Sequence, residues 1–93
     1  MQKIKMIVSG RVQGVGFRYT TLQAAQKLQI RGSVWNNDDG TVGILAQSDD
    51  AAALTAFEAS VRKGFGVKPW IRVDYVEVTT DNSADRNDFK IVN

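Results

Sequence analysis

With 93 residues, 43% apolar and 24% charged, the sequence has the make-up of a single globular domain over residues 1–93. It holds no Cys and no His, which removes disulfides, thiolate nucleophiles, imidazole bases and nearly every zinc site. A net charge of +2 steers polyanions only weakly, and no run approaches the ~18 apolar residues of a membrane span.

In chain order, Ile4, Met6 and Val8 alternate with Lys3, Lys5 and Ile7, the pattern of a strand with one apolar face. A helix is predicted from about Phe17 to Leu28, with Leu22, Ala25 and Leu28 on its inner stripe and Gly32 placed to stop it. Residues 34–36 and Val42, Ile44 and Ala46 read as two strands, joined by the turn Asn37-Asp38-Asp39-Gly40 into a hairpin. Ser48-Asp49-Asp50 reads as an N-cap with acids in the first turn of a second helix, whose buried stripe is Ala53, Leu54, Phe57 and Val61. Gly64-Phe65-Gly66 ends it. Val73, Val76 and Val78 belong to a further strand whose spacing slips by one residue, which a bulge or a strand that starts near Val73 would explain. A polar loop over residues 81–88 leads to a short last strand at Phe89 and Ile91.

The order β-α-β-β-α-β plus a terminal strand predicts an α+β, ferredoxin-like sandwich: an antiparallel sheet with two helices on one face. With strand order 4-1-3-2, the first and second strands point the same way. Their ends, and Asn36 with them, then emerge beside the loop that follows the first strand.

That loop, Ser9-Gly10-Arg11-Val12-Gln13-Gly14-Val15-Gly16-Phe17-Arg18, holds three glycines and two arginines in ten positions. Glycine lets such a loop turn several backbone N–H groups toward one point, and the following helix adds unpaired N–H groups at its positive end. The pattern fits a cradle for phosphate, built from the amides of Gln13, Gly14, Val15, Gly16, Phe17 and Arg18 and closed by the planar Arg18 guanidinium; the loop alone fits a tight strand-to-helix connection with no ligand equally well. With no nucleophilic side chain at hand, the simplest reaction is attack by water. Phosphoryl transfer is served by positioning and charge stabilisation, but an asparagine orients water without deprotonating it, so only a good leaving group such as a carboxylate departs. On spacing alone Asn36 and Asn37 are both candidate turn residues, and Arg18 is also compatible with a surface helix position. Arg11 supports the loop. Trp35 faces opposite to Val34 and Asn36 and reads as packing, and the Asp38-Asp39 pair reads as a solvated turn.

Gly10-Arg11-Val12-Gln13-Gly14-Val15-Gly16-Phe17-Arg18 resembles the first signature of the acylphosphatases, and Gly32-Ser33-Val34-Trp35-Asn36-Asn37-Asp38-Asp39-Gly40-Thr41-Val42 resembles the second. The likeness extends over nearly the whole chain. It implies hydrolysis of the carboxyl-phosphate anhydride of acyl phosphates, releasing inorganic phosphate that also competes with substrate, without metal or cofactor. It assigns phosphate binding to Arg18 and water orientation to Asn36, with the substrate's own phosphate taking the water's proton. The chain departs from the family at Gln47-Ser48-Asp49, at Gly64-Phe65-Gly66-Val67-Lys68-Pro69 and at its Val92-Asn93 end, none of which touches Arg18 or Asn36.

Two other functions fit the same architecture. A catalytically silent anion-binding or regulatory domain keeps the cradle and has no need of Asn36. An RNA-binding module needs exposed aromatics on the first and third strands, and residues 3–9 and 41–47 contain none, so no nucleic-acid partner is expected. A monomer is expected at this size, with no membrane partner. The lack of Cys and of a visible cleavable signal in Met1-Gln2-Lys3-Ile4-Lys5 points to the cytoplasm.

Overall fold

A computed structural model describes residues 2–66 and 68–92. Met1, Val67 in the loop after the second helix, and the terminal Asn93 lie outside the described residues. The chain runs β1 (Gln2–Arg11), α1 (Phe17–Leu28), β2 (Arg31–Asn36), β3 (Val42–Ser48), α2 (Ala51–Arg62), a short 3-10 turn (Gly64–Gly66), β4 (Arg72–Thr80) and β5 (Phe89–Val92).

The strands form one sheet in the order β4-β1-β3-β2-β5. The expected 4-1-3-2 core is therefore present, with antiparallel pairs throughout. The terminal strand adds to the β2 edge and runs parallel to it, Gly32 opposite Phe89 and Val34 opposite Ile91, which makes the five-stranded sheet mixed. The slip in β4 is a bulge: register passes from Ser9 opposite Tyr75 to Gly10 opposite Val73, leaving Asp74 as the extra residue.

Alternation along β1, β2 and β3 sends Met6, Val8, Val34, Val42, Ile44 and Ala46 into a core under the helices, all at most 1% exposed. From α2 come Leu54, Phe57 and Val61, as the sequence pattern predicts. The inner face of α1 differs from expectation. Ala25 is buried, but Leu22 and Leu28 are only half-buried, and Phe17, Thr20 and Thr21 fill the remaining inward positions. Buried threonines are tolerated because the Thr21 hydroxyl donates to the Phe17 carbonyl at 2.8 Å and that of Thr20 to the Gly16 carbonyl at 2.9 Å.

Gly32 does not stop α1. Gln29 adopts the left-handed conformation (φ 56°) and its N–H closes the last turn on Ala25 and Gln26, while Gly32 is already inside β2. Asp50 is itself the cap of α2, its carboxylate accepting from Ala52 N–H at 2.9 Å and Ala53 N–H at 3.4 Å, so the acids precede the helix and its first turn holds none; Ala53 is only half-buried.

Candidate active site

Antiparallel pairing brings the ends of β1 and β2 to one end of the sheet. Val8 faces Val42 across β1–β3, and Val42 faces Asn36 across β3–β2, so the three residues form one row. Two strand spacings, about 10 Å, separate the backbone of Asn36 from that of Val8. By strand parity Asn36 shares the helix-bearing side with Val34 and Val42, and it is exposed where they are buried.

Residues 12–16 lead from the end of β1 into α1. Val12 and Phe17 are anchored in the core at 1% exposure each, and the residues between them curl over the surface. Gly14 (φ 72°) and Gly16 (φ 81°) both take the left-handed conformation, which folds the segment back on itself and would strain any other residue. Gly16 is also the N-cap of α1. No described side chain caps it and the first turn holds no acid, in contrast to α2 with its Asp50 cap. The leading N–H groups of α1 thus present the helix's positive end with no side-chain cap and no first-turn acid among the described residues. Gly14, Gly16, Arg18 and Tyr19, with Val12, Phe17 and Ile91, line a shallow depression of about 180 Å³ at this point. Arg18 itself is half-buried.

Of the candidate residues, the structure thus gathers Gly14, Gly16, Phe17 and Arg18 around one depression. Asn36 is not among its walls, nor are Gln13 and Val15. The link between loop and hairpin is a contact that spacing does not disclose. The side-chain amide of Gln13 donates to the carbonyls of both Asn37 and Thr41, each at 2.8 Å. The hairpin it grips is rigid in its own right. Asn37 N–H donates to the Thr41 carbonyl at 2.9 Å, and the Asn37 side-chain amide donates to the Thr41 hydroxyl at 3.0 Å. The Trp35 indole N–H donates to Asn37 Oδ1 at 2.9 Å while its ring lies flat against Gly43, so close that a Cβ there would stand 2.3 Å from the ring. Trp35 is therefore a packing residue, as its parity predicts. Asp39 accepts from the Thr41 hydroxyl and backbone N–H, and those bonds, the hydroxyl's above all, hold its carboxyl below the ordinary range.

A second segment also reaches the loop. The Trp70 indole N–H donates to the Val15 carbonyl at 3.1 Å, and Lys68 Nζ lies 3.0 Å from where a Cβ on Gly16 would stand. Neither residue was a candidate from sequence, since nothing local in residues 68–70 marks them as neighbours of a loop more than 50 positions earlier.

The acylphosphatase family model matches residues 4–91. The chain is 52% identical over 96 residues to an acylphosphatase of Lactococcus lactis, with 98% of each covered. Its fold matches the crystal structure of acylphosphatase from Bacillus subtilis with a TM-score of 0.90 at 40% identity, covering 100% of both chains. An acylphosphatase structure from Coxiella burnetii matches with a TM-score of 0.87 at 28% identity, over 98% of this chain and 92% of that one.

Proposed function

The chain belongs to the acylphosphatase family and hydrolyses acyl phosphates to carboxylate and inorganic phosphate; from that premise we propose how its residues divide the work. Backbone N–H groups of residues 13–18 and the Arg18 guanidinium hold the peripheral oxygens of the phosphoryl group. The Asn36 side chain orients the attacking water.

The observation that carries this reading is the open N-terminus of α1, uncapped and free of acids in its first turn, tied by Gln13 to the hairpin that bears Asn36. Charge on the phosphoryl oxygens spreads in a loose transition state, so fixed amide dipoles and one guanidinium stabilise it with no reorganisation during the reaction. The leaving carboxylate is stable as an anion and needs no general acid. Water loses its proton to a phosphate oxygen of the substrate, because an asparagine amide is not a base. The reaction then calls on no metal or cofactor. The silent anion-binding alternative is not favoured beside the family match over residues 4–91.

The domain works as a monomer in this reading, with a small acyl phosphate as its only substrate partner and no nucleic acid. Among the described residues no helix is long and apolar enough to cross a membrane. A cytoplasmic setting rests on the cysteine-free composition, which leaves nothing for a reducing compartment to disrupt.

The test is phosphate release from benzoyl phosphate in the presence of EDTA. Wild-type activity should survive chelation and nearly vanish in Arg18→Gln together with phosphate affinity. In Asn36→Ala turnover should fall by about 10²–10³-fold while phosphate still binds. Equal rates for wild type and Asn36→Ala would remove the water-orienting role.

A further inference from the structure

We infer that Lys68 is a second cation of the phosphate site, delivered to the glycine loop by the segment that precedes β4. This rests on the reading of that loop as the phosphoryl cradle, and it adds a residue that neither signature contains. Lys68 Nζ lies 3.0 Å from the Cβ position of Gly16, the N-cap of α1. The ammonium is therefore within about 5 Å of the Gly16 Cα and one residue from the first free N–H groups of the helix.

Two further observations hold it there. Trp70, two residues on, donates its indole N–H to the Val15 carbonyl at 3.1 Å, which pins the segment to the residue before Gly16. Lys68 itself is half-buried and makes no ion pair with a described carboxylate, whereas Lys3 pairs with Asp85 and Lys90 with Asp88. A lysine held against the positive end of a helix, with no described carboxylate paired to it, is electrostatically costly in the empty protein. A phosphoryl dianion in the cradle relieves that repulsion. As a compact charge on a flexible stem, the ammonium adds attraction without fixing geometry, the complement of what the planar Arg18 fork supplies. Its effect falls equally on bound substrate and transition state, so it governs capture of the anion and leaves turnover alone.

The experiment measures inorganic phosphate binding by calorimetry and benzoyl phosphate kinetics at low salt, in wild type, Lys68→Gln, Lys68→Met, Lys68→Arg and the control Lys27→Gln, in the last turn of α1 at the end away from Gly16. Removing the charge should weaken phosphate binding and raise KM by about three- to tenfold each, with kcat within twofold. Arg should restore most of the affinity, and the gap between wild type and the neutral variants should shrink as salt rises. Unchanged phosphate affinity in folded Lys68→Gln or Lys68→Met would overturn the inference, as would an equal loss in Lys27→Gln. A fall in kcat with KM intact would also overturn it. Calorimetry reads Lys68 even if benzoyl phosphate is not turned over, so failure of the functional reading and failure of this inference give different results.

Discussion

Gln13 and Asn37, 24 positions apart, are joined by a 2.8 Å hydrogen bond that couples the glycine loop to the residue next to Asn36. The second proton of the same amide goes to Thr41 at 2.8 Å. Both accepting carbonyls already have a backbone donor, Gly40 N–H for Asn37 and Asn37 N–H for Thr41. The Gln13 side chain is therefore not needed to satisfy them. Its consequence is positional: it sets how far the glycine loop stands from the strand end that carries Asn36.

Replacing Gln13 by Ala should consequently cost more activity than stability. Two net hydrogen bonds are worth about 1–2 kcal/mol of folding free energy. Loss of alignment should lower kcat by about tenfold or more with a smaller change in KM. Gln13→Glu should be worse, because an ionised carboxylate would face two carbonyl oxygens. Urea unfolding set beside steady-state kinetics separates the two effects, and a variant that loses stability but keeps kcat would show the coupling to be inert.

Gly32→Ala should break the fold at the strand that carries Asn36. Gly32 sits at φ 147°, and a Cβ there would stand 1.9 Å from the Leu45 carbonyl oxygen in the neighbouring strand. Backbone cannot yield that far without opening the β2–β3 pairing, so a loss above about 3 kcal/mol is expected. Gly40→Ala, also at positive φ (93°) but with open space around it, should cost only about 1 kcal/mol. Thermal midpoints of the two variants give the comparison; similar midpoints would contradict the close approach at Gly32.

Asp50→Ala should destabilise without touching catalysis. The carboxylate caps α2 through Ala52 and Ala53 N–H, just beyond the end of β3 opposite to the active-site row, where Ser48 pairs with Gln2. Losing a cap of this kind costs about 1 kcal/mol, a fall of about 4–8 °C in Tm for a domain this small. Unaltered kcat and KM at 25 °C would complete the result. A drop in kcat would mean that the two ends of the sheet are coupled.

The sequence has neither His nor Cys, the two side chains whose ordinary values bring them closest to the window between pH 5 and 8. Changes of rate in that window should follow ionisation of the substrate phosphate. Stability behaves differently at low pH. Asp39, Asp81 and Asp85 are held below the ordinary carboxylate range mainly by hydrogen bonds from Thr41, Ser83 and Lys3 respectively. A depressed native pKa stabilises the fold above the unfolded value, and that contribution is lost as pH falls through the native one. Tm should thus be level above about pH 5 and decline below about pH 4. Asp39 and Asp85 are exposed and Asp81 is half-buried, so the decline should be shallow and salt-sensitive.

Whatever depends on neighbours along the chain was legible in the sequence by itself. Alternation in β1, the hairpin turn at residues 37–40, the stripe of α2 and the slip around Val73 all express preferences acting over a few residues, and each appears in the fold. The glycine loop and the candidates Arg18 and Asn36 could be named on the same footing, from residue type and the two signatures. The stop of α1 was misread because Gln29, not Gly32, accepts the left-handed conformation, and glycine was needed in β2 for the approach of Leu45. Tertiary structure alone decided the parallel pairing of β5 with β2, the grip of Gln13 on Asn37 and Thr41, and the arrival of Lys68 and Trp70 at Val15 and Gly16. These contacts join residues from different elements, and only the packed sheet and helices fix how close those elements come. Local preference carries no record of that distance.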